Sequence, residues 1–460
     1  VSDALAAALT EVLRPVLGAD VAVRNVHLLT GGASRTTYSF DAVTGTRQRP
    51  LILRTAPAAE RYAGMELEAA AQAAAAAAGA PVPHVLVASD SSAALGDPFL
   101  ICDAVAGETI VRRIHRGLDE DGRRRLLDQC AQALAAIHRA PAEAPGLVAS
   151  DQLAEWRERL DEMGDTTATF EFAFRWLAEN RPEPSKHVLV HGDFRMGNLI
   201  VDGLGPSSAP DGSTLRAVLD WELVHVGEVY EDLAWFCIRA WRFGAPSELD
   251  AGGLGSSEAF IAAYEHAGGA HLDRAALHWW LVLSTLKWGV ICRGQAERHL
   301  SGQLRSVELA AIGRRVCETE WDILDLLVES TMPPRNGAQE ERDNRTSRAA
   351  MANTGRPTAA ELVAAVAEFL EGEVRATTAG AVNFHALVAA NALRIVEREL
   401  LDDAADEPAA ALTALGFADE AGLAAAIRAG ELDGQSREVT TCLRALVGHR
   451  LAISHPGYEG

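Results

Sequence analysis

Apolar positions spaced three and four apart open the chain: Leu5, Leu9, Val12 and Val16 share one face and predict an N-terminal helix. The pattern then changes to short β-rich runs. Val21 to Leu29, Thr36 to Phe40 and Leu51 to Arg54 are separated by Thr30-Gly31-Gly32-Ala33-Ser34 and by a turn at Thr44-Gly45, which predicts a sheet of antiparallel hairpins. An alanine-rich helix is expected from about Met65 to Ala78, stopped by Gly79 with Pro81 and Pro83 beyond it. Two more strands, His84 to Ala88 and Pro98 to Ala104, complete an order of three strands, one helix and two strands.

From Asp119 helical spacing dominates, with Leu126, Leu127, Cys130, Leu134 and Ile137 on the first long segment. One β-rich island interrupts it, at His187 to Val190, Asn198 to Val201 and Ala217 to Leu219. Thr331 to Arg356, with Pro333, Pro334, Asn336 and Gly337, lacks apolar periodicity and reads as a linker. Beyond it Thr358 and Glu361 make a capping-box start, followed by the stripe Leu362, Val363, Val366, Phe369 and Leu370. Further stripes lie at Phe384, Leu387, Val388 and Val396, and at Leu443, Val447 and Leu451. Such stripes need cover, which the rest of the chain, a second copy or a closed bundle within the tail would each supply.

Composition narrows the class. With 460 residues, 48% hydrophobic and 23% charged, two or three packed units are expected. An excess of 64 acidic over 42 basic residues gives a charge of −22, which argues against nucleic acid as a partner. No apolar run is expected to approach the roughly 18 to 20 residues of a membrane span, the longest weakly polar stretch being Ala69 to Ala78. Asp3 and Glu11 near the start do not read as a secretory signal. Six scattered cysteines without a C-x-x-C pair suit a reducing cytoplasm.

The segment that carries chemistry is His191-Gly192-Asp193-Phe194-Arg195-Met196-Gly197-Asn198, with Asp220-Trp221-Glu222 after a following hairpin. Phosphoryl transfer needs a carboxylate to orient a hydroxyl and accept its proton, and oxygen ligands to hold Mg²⁺ against the phosphates. An Asp, an Asn five residues on and a second Asp supply those groups.

H-G-D-x-x-x-x-N with a downstream D-W-E resembles the aminoglycoside phosphotransferase and choline kinase group of the protein-kinase-like fold. The resemblance implies an α+β, bilobal protein: a small antiparallel β-sheet N-lobe over 1–105, a mainly helical C-lobe over 106–330, the linker 331–356 and an all-α accessory domain over 357–460. It implies Asp193 as catalytic base, with His191 and Arg195 in the catalytic loop, Asn198 and Asp220 as Mg²⁺ ligands, and ATP as phosphoryl donor. Gly31, Gly32 and Ser34 would approach the phosphates, and the backbone at Asp103 to Val105 the adenine. Arg54 stands where the wider kinase pattern has Lys, as in the kinase-like domains fused to acyl-CoA dehydrogenases. Its expected partner is Glu68, with Glu66 as the alternative. Glu222 either backs the metal ligands or faces solvent. Asp232, in Gly227-Glu228-Val229-Tyr230-Glu231-Asp232-Leu233-Ala234-Trp235, is expected to fasten the catalytic loop.

Arg239 to Gly244, and the helix with Trp279, Trp280, Lys287, Trp288 and Arg293, lie where the family's acceptor binds, although an aromatic stripe at helical spacing also reads as core. The acceptor implied is a small-molecule hydroxyl, foremost that of a hydroxyacyl-CoA thioester. An aminoglycoside-type acceptor and a nucleotide-binding scaffold without activity are the alternatives. Neither nucleic acid nor membrane is an expected partner, and a homodimer is a further expectation.

Overall fold

The computed structural model describes residues 2–29, 35–56, 64–143, 146–204, 214–328, 357–404 and 406–459. α1 (Ser2–Leu17) packs on a five-stranded antiparallel sheet of β1 (Ala22–Leu29), β2 (Thr36–Thr44), β3 (Arg47–Thr55), β4 (Val85–Ser89) and β5 (Phe99–Asp103), in the order β1-β2-β3-β5-β4. Between β3 and β4 runs α2 (Met65–Ala77). The strand period of two decides what each face carries. Leu51 and Leu53 point into the core shared with Leu9, Leu13, Phe40, Phe99 and Ile101, so Arg54 points to the opposite face, towards α2. Leu9 and Leu13, four apart, are fully buried, whereas Val16 in the last turn of α1 is 50% exposed and leaves the expected stripe.

The chain continues with α3 (Val111–Gly117), α4 (Glu120–Arg139), α5 (Gln152–Glu162) and α6 (Ala168–Glu179). The island is two separate two-stranded sheets: β6 (His187–Val190) pairs with β9 (His225–Glu228), and β7 (Leu199–Asp202) with β8 (Thr214–Val218). β9 carries too few apolar residues to show in the pattern. Then come α7 (Val229–Cys237), α8 (Ser257–His266), α9 (Arg274–Leu300), α10 (Val307–Gly313) and α11 (Val316–Val328). Against the expectation from sequence, α9 is long and apolar enough to cross a membrane, but 72% of its most apolar stretch is buried, as in a core helix. All six cysteines are buried free thiols.

The expected linker 331–356 lies outside the described residues. The tail comprises α12 (Ala359–Phe369), a π turn (Leu370–Val374), α13 (Arg375–Thr377), α14 (Gly380–Leu400), α15 (Asp406–Ala414), α16 (Glu420–Ala429) and α17 (Ser436–Ser454). Two compact units emerge, 1–150 with 182–280, and 151–181 with 281–460, a division that cuts across the expected C-lobe.

Within the second unit the tail shares a core with α6 and α11, in which Leu412, Leu423, Ile427, Leu443, Val447 and Leu451 close over Ala168, Cys317 and Leu324. The fully buried Glu320 accepts from Arg450 at 3.0 Å, and Arg450 also donates to Glu420 at 2.6 Å. Thr358 and Glu361 form the expected capping box. The α12 stripe, however, is uncovered. α12 and α14 are neighbours and bury only the small Ala360, Ala367, Ala386 and Ala390, while Leu362, Val366 and Phe369 remain 54%, 50% and 51% exposed.

Candidate active site

The loop from His191 to Asn198 leaves β6 through Gly192, whose φ of +83° suits glycine and where a Cβ would sit 2.5 Å from the Leu223 carbonyl. Asp232, in the first turn of α7, fastens it. Its carboxylate accepts the His191 N–H at 2.7 Å and the Gly192 N–H at 2.9 Å, and lies 3.2 Å from His138 Nε2. Complete burial pushes this carboxyl up, but the His138 hydrogen bond and charge outweigh it and hold Asp232 below the ordinary range.

The His191 ring is buried against Trp221 at 4.7 Å, and burial lowers its pKa. The neutral ring bridges two chain segments: Nε2 donates to the Leu219 carbonyl at 3.0 Å and Nδ1 accepts the Asp193 N–H at 3.2 Å. It thus fixes the loop against the residue before Asp220.

Three donors hold the Asp193 carboxylate: Arg195 Nε at 2.9 Å, Trp235 Nε1 at 2.7 Å and Asn198 Nδ2 at 2.7 Å. Asn198 Nδ2 also donates to the Asp193 carbonyl at 2.9 Å, which directs the amide oxygen elsewhere. The Arg195 guanidinium lies 4.8 Å over the Trp241 ring. Trp235 was not anticipated from sequence, although it sits one helical turn after Asp232 and so shares its side of α7.

Asp220 occupies left-handed backbone, φ +68°, rare for a residue with a side chain. It is ion-paired with Arg54, whose other nitrogen lies 3.7 Å from Glu68. Burial raises the Asp220 pKa, but the Arg54 charge and hydrogen bond prevail and lower it overall. Of the two candidate partners for Arg54, Glu68 is fully buried beside it, while Glu66 is exposed and accepts the Asp90 N–H at 3.3 Å.

Glu222 does not face solvent alone. Arg35, only 3% exposed at its side chain, pairs with Glu68 and donates to Glu222 at 2.9 Å. The chain Glu222, Arg35, Glu68, Arg54, Asp220 therefore joins the D-W-E segment to α2 and the sheet. Sequence reasoning missed Arg35, whose partner Glu222 is 187 residues away. Burial, opposed by Arg35 and then Arg54, pushes the Glu68 carboxyl up to about 7.

Of the remaining expected residues, Gly31, Gly32 and Ser34 lie outside the described residues. The Asp103 side chain turns to Arg49, at 2.6 and 2.8 Å, and Val105 follows in the strand-to-helix loop. Trp279 and Trp280 are 3% and 5% exposed and meet edge to face, as core aromatics do. Lys287 is buried 5.5 Å from the Trp156 ring, and Arg293 is ion-paired with Asp165.

A five-stranded antiparallel sheet with α1 and α2 packed on it, followed by a helical lobe with an Asp-Asn-Asp loop arrangement, is a kinase-like fold. A family model described as phosphotransferase enzyme family matches residues 25–280, and a second, a domain of unknown function (DUF6285), matches 376–458. Because the first spans more than half of its residues, the chain belongs to the phosphotransferase enzyme family. Acyl-CoA dehydrogenase family member 10 of Mus musculus is 26% identical over 267 residues, covering 53% of this chain and 24% of that protein. Acyl-CoA dehydrogenase family member 11 of Gallus gallus is 29% identical over 249 residues, covering 48% and 30%. The chain thus spans about a third or less of the length of these relatives. A crystal structure assigned to the aminoglycoside phosphotransferases, from Ralstonia eutropha, shares the fold with a TM-score of 0.56 at 22% identity, over 70% of this chain and 98% of that one.

Proposed function

We propose that the chain is an ATP- and Mg²⁺-dependent kinase that phosphorylates the hydroxyl of a hydroxyacyl-CoA thioester. The observation that carries the kinase reading is the Asp193 carboxylate, fixed by three donors in a loop whose Asn198 amide oxygen is directed away from it. The acceptor hydroxyl gives its proton to Asp193 as its oxygen bonds to the γ-phosphorus; the bond to the β–γ bridging oxygen breaks and ADP leaves. His191, neutral, holds the loop. Arg195 stands beside Asp193 to offset charge on the transferred group, and Arg54 with the backbone at Gly31, Gly32 and Ser34 takes the other phosphates. The backbone from Asp103 to Val105 meets the adenine.

Among the described residues no group of three or more His, Cys, Asp or Glu side chains makes a ready metal cage. That suits Mg²⁺, which takes one or two protein oxygens and completes its shell with phosphate and water. Asn198 and Asp220 would hold it, and it supplies charge neutralisation at the phosphates. Arg54 and Asp220, paired with each other in this structure, would each exchange that partner for phosphate or metal.

The acyl-CoA part rests on relatives in which the matched segment belongs to chains named acyl-CoA dehydrogenases. The test is ATP consumption with hydroxyacyl-CoAs, free hydroxy acids, choline-like alcohols and aminoglycosides. Turnover highest with the thioesters is expected; turnover only with an amine-bearing alcohol refutes the acceptor. We assign 1–105 to the N-lobe, 106–330 to the C-lobe, and 357–460 to a helical accessory domain. Six buried thiols fit a reducing cytoplasm. With Leu362, Val366 and Phe369 on α12 and Val382, Val396 and Leu400 on α14 each 40% exposed or more, the two helices leave apolar side chains open, which suits a homodimer. Light scattering that returns the monomer mass refutes the dimer.

A further inference from the structure

In a chain of charge −22, α3 has no acidic residue and three arginines, Arg112, Arg113 and Arg116. Val111 and Ile114 bury its inner face at 6% and 0% exposure, and the arginines stand exposed on the outer one. Arg113 is engaged by Glu108 at 3.3 Å. Arg112 and Arg116 make no hydrogen bond or ion pair with another described residue. Four apart on one helical face, these like charges repel, a cost that an anionic ligand would reverse.

The helix is fixed beside the site. Glu108, just before it, exchanges hydrogen bonds of 2.8 and 3.0 Å with Val201 in β7, the strand that follows Asn198. On its other side His115 Nε2 lies 3.1 Å from the Gly252 carbonyl oxygen. Gly253, φ +75°, fills the gap between α3 and the 3-10 turn Arg239–Arg242: a Cβ there would lie 2.5 Å from the His115 ring and 3.0 Å from the Arg242 carbonyl oxygen. In that turn Arg242 Nε is buried without a hydrogen-bond partner among the described residues. Trp241 beside it carries Arg195, which bonds Asp193. α3 and the turn therefore pack side by side as one wall, whose turn end reaches Asp193 through Trp241 and Arg195.

We propose that Arg112, Arg116 and Arg242 bind the phosphates of the acceptor, which makes the ligand of this wall the diphosphate and 3′-phosphate of a coenzyme A moiety. Guanidinium groups match phosphate oxygens in pairs, and a helical turn sets the Cβ atoms of two such side chains about 5–6 Å apart, within reach of one phosphate group. The acyl end then extends along Trp241 to Asp193. The acceptor class comes from the function proposed above; the wall itself rests on geometry and charge.

The test is calorimetric titration of free coenzyme A and 3′-dephospho-coenzyme A into the full chain carrying Asp193→Asn, with ADP saturating so that the nucleotide site is closed to the ligand. Micromolar to millimolar binding of coenzyme A is expected, weakened tenfold or more in Arg112→Gln/Arg116→Gln and by 0.5 M salt, retained within a few-fold in Arg112→Lys/Arg116→Lys, and weaker for the dephospho form. An unchanged ADP affinity and Tm show that the variants fold. No coenzyme A binding under saturating ADP, or equal affinity in the Gln variant, overturns the wall. Because binding is read without turnover, that outcome is separate from failure of the kinase reading, which the Asp193→Asn activity assay reports.

Discussion

Arg35→Gln removes the cation between two carboxylates, and the structure sets the size and pH dependence of the effect. Arg35 is 3% exposed at its side chain, Glu68 0% and Glu222 13%. Removing one partner of such a buried pair costs about 3–5 kcal/mol. Glu68 retains Arg54 at 3.7 Å, and its carboxyl is already pushed up from 4.5 to about 7 by burial, so it has a second escape: it takes up a proton. A carboxyl whose pKa is raised on folding binds more protons folded than unfolded, so its contribution to stability falls as pH rises through the interval from 4.5 to about 7. Loss of Arg35, whose charge pulls this carboxyl down, raises it further and carries the decline to higher pH. The penalty should therefore be near 1 kcal/mol at about pH 5.5, where Glu68 is protonated, and near 3 kcal/mol at about pH 8.5, where it must ionise. At roughly 2–4 °C per kcal/mol, Tm should fall by about 6–12 °C at the higher pH and by less than half of that at the lower. Thermal unfolding followed by circular dichroism at both pH values measures this, with Arg35→Lys as the charge-preserving control. Equal shifts at the two pH values would refute the account, because a loss of packing alone has no reason to titrate.

Asp193→Asn should lower kcat by about 10²-fold or more while retaining Mg·ATP binding, because it removes the proton acceptor with little change of shape; full turnover would sink the catalytic assignment. Asp220→Ala should instead weaken Mg²⁺-dependent ATP binding at least tenfold, and calorimetry that finds the same affinity counts against it. Trp235→Phe deletes the donor 2.7 Å from Asp193 and keeps the ring. A loss of about 1 kcal/mol, roughly fivefold in kcat with acceptor KM unchanged, is expected from steady-state kinetics, and a KM effect alone would show that Trp235 serves binding. A chain ended after Val328 uncovers Ala168, Cys317 and Leu324; it should unfold at lower temperature and recover when the tail is added as a separate polypeptide, whereas an unchanged Tm would make the tail an independent appendage.

What was legible in the sequence was what repeats locally. The N-terminal sheet announced itself through hairpin turns and β-branched runs, and α4 through its apolar spacing. Asp193, Asn198 and Asp220 stood out because one loop carries the first two and the strand pair that follows it leads to the third. Arg54 and Glu68 were pairable in advance since the strand and helix that carry them are consecutive. Arg35 was not, because its two partners lie on different elements and Glu222 is 187 residues distant. Trp235 looked like one more apolar helix residue, and only the fold turns its N–H to Asp193. The α12 stripe was visible, but amphipathicity says that a face needs cover without saying whether this chain supplies it.

The same long-range contacts explain why the site should respond as a unit. Asp232 receives two backbone N–H groups of the loop from His191 to Asn198, His191 passes from that loop to the Leu219 carbonyl, and Asp220 follows at once in left-handed backbone. From Asp220 the ion pairs run through Arg54, Glu68 and Arg35 back to Glu222, two residues further along the same segment. The path is a closed ring of three carboxyls and two guanidiniums, which carries an excess of one negative charge once Glu68, pushed up to about 7, has ionised. A ring of this sign gains from a cation at Asp220 and from phosphate at Arg54 together more than from either alone, since each ligand releases the partner that the other needs. Nucleotide and metal affinity should therefore be coupled, and that coupling should weaken wherever the ring is cut, including at Glu222.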